Sequence, residues 1–411
     1  MTRMKIVNFG PLRDGYIDND GFFDIKKVTI FIGSQGSGKS VVAKLISTFM
    51  WIEKALVRGN YEKKWFERKG RLRQQFLDYN RLENYNFEHA TIEYQSEAFS
   101  FSYKDDVLKI IDGNGKYELP QIMYVPAERN FISYVKRTKE LKISSRSLLD
   151  FLTEFDNSKQ RMKETVRLPI NNIDLDYDKL NDTLNLKTQD YKIKLMDASS
   201  GFQSFVPLFL VSDYLANYIV KQRNSEENIM TMEERNRYKK GVEDIWKNES
   251  LTDEQRNIAL STLSAKFNKS VFINIVEEPE QNLFPDSQKT ALECLIKCNN
   301  ICHENKLIMT THSPYIINYL SIAIQADILK SKITGLKNEQ ELLARLEKIV
   351  PLGATVSPGN VAVYQLNDTG KILKLPAEYD IPSDNNYLNN SLKKGNELFD
   401  ALLEIEEDVP S

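Results

Sequence analysis

The sequence predicts an α/β fold built on buried parallel strands, and three of its segments make that prediction. Each is a short apolar run that stops abruptly on small or charged residues. They are Lys27–Ile32 before Gly33–Ser40, Val271–Val276 before Glu277-Glu278-Pro279-Glu280, and Lys306–Met309 before Thr310-Thr311-His312-Ser313-Pro314. Short β-branched and apolar runs bounded by turn formers suit strands buried on both faces. The first run leads through its loop into Val41–Ile46, which reads as a helix, so strand, loop and helix follow in the order a parallel sheet needs.

At about 150 residues per domain, 411 residues allow two or three domains and a sizeable core. A hydrophobic content of 41% excludes wholesale disorder. The 55 Lys and Arg nearly cancel the 58 Asp and Glu, so any nucleic-acid contact would need a local basic patch. No apolar run reaches the roughly 18–20 residues of a membrane span; Val206–Val220 comes nearest and is interrupted by Ser212, Asp213 and Asn217. Met1-Thr2-Arg3-Met4-Lys5 leads into a strand-like piece, unlike a secretory signal. A soluble, cytoplasmic protein without membrane contact is expected. Cys294, Cys298 and Cys302 lie at i, i+4, i+8 beside Ala291, Leu292 and Leu295. Three thiols along one straight helix close poorly around a single metal ion, so they are expected to be buried as small hydrophobes.

In chain order, the first chemical element is Gly33-Ser34-Gln35-Gly36-Ser37-Gly38-Lys39-Ser40, a complete G-x-x-x-x-G-K-[ST] pattern between strand and helix. Glycines let backbone N–H groups turn inward around phosphates, and the helix N-terminus adds its dipole. Lys39 is placed to reach the β- and γ-phosphates of ATP and Ser40 to ligate Mg²⁺. The second is Asp197-Ala198-Ser199-Ser200-Gly201-Phe202-Gln203-Ser204, where hydroxyl residues and glycine open an apolar helix and form a further anion site. The third is the Glu277-Glu278 pair at a strand end. Its first acid is expected near Mg²⁺, and its second is expected to act as base or water-orienting group. The fourth is His312, also at the carboxyl end of a strand, where open α/β sheets place ligands.

As an ordered set, these segments resemble the ABC-type ATPase heads of the SMC/RecF/OLD superfamily over residues 1 to about 325. Gly33–Ser40 matches the Walker A loop, Ser200-Gly201-Phe202-Gln203 a degenerate signature motif, Glu277-Glu278 the Walker B acid and catalytic glutamate, and His312 the switch histidine. Asn8-Phe9-Gly10-Pro11 and Glu278–Pro285 are also family-like. Tyr124–Arg129 and Glu277-Glu278-Pro279-Glu280 look most like ATPases of anti-phage defence operons, the AriA family of PARIS systems first and the PtuA family of Septu systems second. The resemblance implies a P-loop NTPase fold with a mixed sheet flanked by helices, helical insertions of coiled-coil-like spacing, ATP and Mg²⁺ as ligands, and ATP hydrolysis. It also implies a dimer or a higher multiple of dimers with ATP at the interface, the Ser200, Gly201 and Gln203 segment of one subunit completing the ATP site of another. Two departures stand out: glutamate occupies the Walker B aspartate position at Glu277, and a Q-loop glutamine is not evident unless Gln121 or Glu128 substitutes.

The expected domains are an ATPase lobe over 1–130, a helical or irregular insertion over 131–195 and a signature helix over 196–220. A charged helical insertion over 221–268, a Walker B and histidine part over 269–330 and a C-terminal strand pair and helix over 331–411 follow. The insertion from Phe131 carries Lys136, Arg137, Lys139, Lys142 and Arg146, and that from Lys221 to Lys266 has few apolar anchors. Arg58–Arg73 interleaves Arg58, Lys63, Lys64, Arg68, Lys69, Arg71 and Arg73 with Tyr61, Trp65 and Phe66, which suits nucleic acid, an acidic protein surface or a solvated helix face. Tyr387–Glu407 reads as an amphipathic helix. The tail has no D-x-D pair for a metal-dependent nuclease, and Asp174-Leu175-Asp176 precedes the signature segment. The expectation is therefore an ATPase that regulates an effector acting in trans, with a nuclease as the expected effector. A repair ATPase that binds DNA itself is the alternative.

Overall fold

The computed structural model describes residues 2–85, 89–115, 117–134, 145–224, 232–248 and 269–407, with isolated positions between 251 and 267. Its central sheet has seven strands in the order Gly15–Tyr16, Lys371–Lys374, Val361–Leu366, Val28–Gly33, Lys306–Thr311, Val271–Glu277 and Pro120–Val125. The last five run parallel, whereas Lys371–Lys374 is antiparallel to its neighbour Val361–Leu366. The fold is thus a mixed α/β sheet flanked by helices, as expected.

Side chains that alternate along these strands divide into two cores. Val28, Ile30 and Ile32, with Leu307, Met309, Phe272 and Val276, face the helices Ser200–Asn224, Pro285–Asn300 and Pro314–Ile333. Phe31, Ile308, Ile273 and Ile275 face the helix Lys39–Val57, which buries Val42, Leu45, Ile46 and Phe49 against them. Coverage on both sides explains why Val28–Gly33 and Val271–Glu277 are buried throughout and lack a polar face.

A second, antiparallel sheet (Phe23–Asp24, Arg3–Val7, Thr91–Gln95, Phe99–Lys104, Val107–Asp112) closes over the far side of the Lys39–Val57 helix. The expectation for 131–195 is corrected in part. Its helix is Arg146–Gln160, but 166–194 forms a four-stranded antiparallel sheet in the order Lys192–Lys194, Thr183–Lys187, Asp174–Asp178, Val166–Arg167. Asp174 and Asp176 stand on one of these strands and pair with Arg167 and Lys192, which gives them local partners within the sheet. The C-terminal strand pair exists and belongs to the central sheet, since Val361–Leu366 pairs directly with Val28–Gly33. In the charged insertion, Met232–Lys247 is helical. Much of 249–268, with Lys136, Arg137, Lys139 and Lys142, lies outside the described residues. Cys298 and Cys302 are buried, Cys294 half-buried, and all three are free thiols. Burial pushes the Cys294 thiol up to about 12 and raises that of Cys298 as well. No described helix is long and apolar enough to cross a membrane.

Candidate functional site

Register brings the chemical elements together. Ile32 pairs with Thr311, Thr310 with Glu277, and Val276 with Val125, so the turns after four parallel strands emerge at one edge of the sheet. Backbone polar groups at such an edge are free to meet a ligand, and the switch from strand to helix supplies the helix N-terminus.

The loop Gly33–Ser40 has the conformation its glycines allow. Gly33, Gly36 and Gly38 have φ of +151°, +81° and +103°, where L side chains are strained. A Cβ on Gly33 would lie 2.3 Å from the Leu366 carbonyl oxygen, and one on Gly38 would lie 2.9 Å from Pro11. The Asn8–Pro11 turn is therefore a wall against which the cradle is packed. Gly36 has open space beside it, and Gln35 and Ser40 are exposed. Ser34 donates its hydroxyl hydrogen to Asp368, in the turn after Val361–Leu366. The buried Ser37 hydroxyl has no protein partner. Lys39 donates to the carbonyls of Gly33 at 2.8 Å and Ser34 at 2.7 Å. Burial pulls its pKa down to about 8 against the opposing pull of Glu278 and Glu280. A cradle with an open floor, a buried lysine and an exposed hydroxyl in the first helical turn fits a nucleotide triphosphate with its cation.

Glu278 sits opposite. Its backbone is in the left-handed region at φ +46°, and its amide donates to the Thr310 carbonyl at 2.9 Å. Burial first, then the Glu277 charge, raises its pKa, while Arg129 and Lys39 oppose the rise. His312 Nε2 lies 3.5 Å from Glu278 Oε1, and burial, then the Lys39 charge, lowers the histidine's pKa. A carboxylate made more basic than usual beside a neutral imidazole suits proton abstraction from water.

Glu277 also has protein partners. Oε1 accepts from Tyr124 Oη at 2.6 Å and Oε2 from the Ala127 amide at 3.2 Å, and the residue is buried. Both oxygens are engaged with protein, so Glu277 anchors the 124–127 segment, and each oxygen keeps a further lone pair. Ser40 remains the exposed cation ligand candidate. Among the described residues no group of three or more His, Cys, Asp or Glu is placed to hold a metal by itself.

Two residues of the site were not assigned these roles by sequence reasoning. Arg129 is fully buried, and burial pulls its pKa down to about 10. Its guanidinium donates to the backbone carbonyls of Glu277 at 2.7 Å, Glu278 at 2.6 Å, Pro126 at 3.3 Å and Ser204 at 3.2 Å. It thereby ties the acidic turn to the helix Ser200–Asn224. Glu280 Oε1 accepts from Thr311 Oγ1 at 2.8 Å and from the His312 amide at 2.7 Å, fixing the turn that carries the histidine. An arginine four residues past a buried strand is the one signal for the first; nothing local marks the second.

Ser200 is exposed at the start of its helix. A Cβ on Gly201 would lie 2.9 Å from the Asn282 carbonyl oxygen, so close approach of the acidic turn selects glycine. Gln203 is buried and donates to the carbonyls of Met196 at 2.9 Å and Ala198 at 3.0 Å. It thereby shapes the loop, while Ser199 and Ser200 are exposed at the helix start. Of the two Q-loop substitutes, Gln121 lies at the start of its strand, away from the edge, and Glu128 is exposed just beyond the strand's end.

In the basic segment, Tyr61 and Trp65 stack at 4.3 Å, Arg71 lies 4.5 Å from the Trp65 ring centre, and Phe66 is buried. Lys63 pairs with Asp112. The aromatics pack on one another, and Lys64, Arg68, Lys69 and Arg73 are the exposed bases of the segment.

No family model and no curated protein matches the chain. Similar solved structures include the SMC head domain from Thermotoga maritima, 12% identical, covering 92% of this chain and 98% of that one at a TM-score of 0.33. An Smc head domain with an extended coiled coil, bound to the C-terminal domain of ScpA, from Pyrococcus furiosus is 9% identical, with 97% and 100% covered and a TM-score of 0.35. A dimeric ATP-binding cassette bound to ADP and Pi is 11% identical, with 92% and 100% covered at 0.29. At such low overlap, the fold assignment rests on the chain's own strand order and cradle.

Proposed function

We propose that this chain is an ABC-type ATPase that binds Mg²⁺–ATP between two copies and uses the nucleotide state to control an effector in anti-phage defence. The carrying observation is the convergence of the Gly33–Ser40 cradle, Glu278 and His312 at one sheet edge, with Lys39 and Glu278 close enough to shift each other's titration. Mg²⁺ would enter with the nucleotide, neutralising phosphate charge, with Ser40 as its protein ligand. Lys39 would exchange its loop carbonyls for phosphate oxygens, and Glu278 would take the proton of the attacking water while His312 orients the group. The exposed Ser200 would complete the site of a second copy.

The regulatory half of the reading rests on the resemblance of Tyr124–Arg129 and Glu277–Glu280 to defence ATPases. Arg129 supports it physically, because it joins the hydrolytic turn to the Ser200 helix and gives nucleotide state a route to the subunit interface. An effector that is held or released in response must bind the two states with different affinity. A nuclease acting in trans is the proposed effector. Coexpression with the neighbouring gene product should yield a complex whose lifetime differs between ATP and ADP, and Lys39→Ala should abolish ATP binding and that difference. Robust metal-dependent DNA or RNA cleavage by this chain alone would overturn the regulatory reading. DNA-stimulated hydrolysis would favour the repair-ATPase alternative.

A further inference from the structure

Among the described residues, the helix Tyr387–Glu407 is attached to the body only by its first turn. The Asn386 side chain caps it by accepting from the Leu388 and Asn389 amides, the Tyr387 amide donates to Gln365 Oε1 at 2.8 Å, and Leu388 is buried. From Asn390 to Glu407 every residue is exposed. The arm nevertheless carries Leu392 at 60% exposure, Leu398 at 62%, Phe399 at 60%, Leu402 at 63% and Ile405 at 62%, with Leu403 beside them. At 100° per residue these side chains share one broad face. Helices of this length are marginal in water without a packing partner, and Gly395 in the middle weakens this one further. A contiguous apolar face on a projecting helix marks an interaction surface.

Charge selects the occupant. Residues 387–396 carry Lys393 and Lys394 and no acid, whereas 397–407 carry Glu397, Asp400, Glu404, Glu406 and Glu407 and no base. Two such helices side by side in parallel would set five acids against five. Turned antiparallel, the lysines of each lie toward the acidic half of the other. The helix dipoles also oppose one another favourably in that arrangement. Gly395, with nothing within 4 Å of where its Cβ would be, leaves a gap in the stripe for a bulky side chain across the pair.

We propose that the 390–407 arm pairs antiparallel with the same arm of a second copy, forming a two-fold, nucleotide-independent interface distinct from the one proposed at Ser200. One patch meeting itself closes as a dimer; combined with an ATP-dependent dimer, it would build assemblies of even subunit number.

The test is light scattering on the nucleotide-free, full-length protein over a wide concentration range. Wild type should dimerise, and Phe399→Glu with Leu402→Glu, both on the exposed face, should leave monomers that still bind ATP. Leu398→Cys, near the middle of the arm, should crosslink to itself under oxidation. Ser391→Cys should instead crosslink to Ile405→Cys when the two variants are mixed. A wild type that is monomeric at every concentration, or a dimer that survives the double substitution, would overturn the proposal. So would self-crosslinking of Ser391→Cys, which indicates parallel arms. A monomeric wild type that captures a different protein through this face would overturn it in favour of that partner. Loss of ATP binding in wild type would refute the proposed function and leave the arm interface intact.

Discussion

Removing the Arg129 guanidinium should damage both stability and hydrolysis, and the structure sets the size of the first effect. In Arg129→Met the stem volume is largely kept, but the backbone carbonyls of Pro126, Ser204 and Glu277 lose the guanidinium donor, as does that of Glu278, which keeps the Gln281 amide at 3.0 Å. Each buried acceptor left unpaired costs about 1–3 kcal/mol. Water entering the vacated space would recover part, while three nearby acids lose their compensating charge. A net loss of about 3–5 kcal/mol follows, in the range seen when one partner of a buried charged network is removed. Hydrolysis should fall as well, because Glu278 holds a left-handed backbone against its own sterics and the guanidinium grips its carbonyl. Arg129→Lys should rescue little, since an ammonium lacks the planar fork that reaches several carbonyls. The assay is a urea denaturation midpoint beside a steady-state phosphate-release rate. An Arg129→Met protein with an unchanged midpoint and unchanged turnover would refute the clamp.

Other expectations can be checked separately. Burial pushes Glu53 up to about 7 despite hydrogen bonds from Ser96 and Tyr94, so the native state holds a proton the unfolded chain has released. Stability should be greatest below pH 4.5 as far as this group is concerned and fall by about 3 kcal/mol as pH rises from 4.5 to about 7. Melting temperatures of Glu53→Gln should lack that slope. Because the Glu278 pKa is raised, turnover should decline on acidification at a pH above the ordinary carboxylate range. A rate constant flat down to pH 4 would contradict the base assignment. Reversing Lys64, Arg68 and Lys69 should weaken binding of an acidic partner and reduce its salt dependence while ATP turnover stays unchanged; binding that is unaltered would assign these residues to a solvated face.

The legible part of this molecule was the part governed by local rules. Gly33–Ser40 needs its glycines whatever surrounds it, and the buried strands announce themselves by uninterrupted apolar runs. Tyr387–Glu407 was readable from its period alone. What was missed depends on partners far away in sequence. Thr183–Lys187 alternates polar and apolar residues, a strand signal that was present, but the surrounding charge disguised the sheet over 166–194 as irregular chain. That Val361–Leu366 inserts beside the cradle strand depends on topology, which a short apolar run cannot disclose. Glu277 illustrates the same limit within the site. Its place at the end of an apolar strand is legible, but its contact with Tyr124, 153 residues away, is not.

The most direct test is Glu278→Gln, followed by ATP binding, single-turnover hydrolysis and light scattering on one preparation. The account predicts that ATP still binds, that hydrolysis falls by about 10²–10⁴ as expected for loss of a general base, and that the ATP-bound protein gains a subunit contact absent with ADP. To separate that contact from the arm, the measurement is repeated with Phe399→Glu and Leu402→Glu added. A Glu278→Gln protein that hydrolyses ATP at the wild-type rate, or that gains no contact on binding ATP, would contradict the site as assigned.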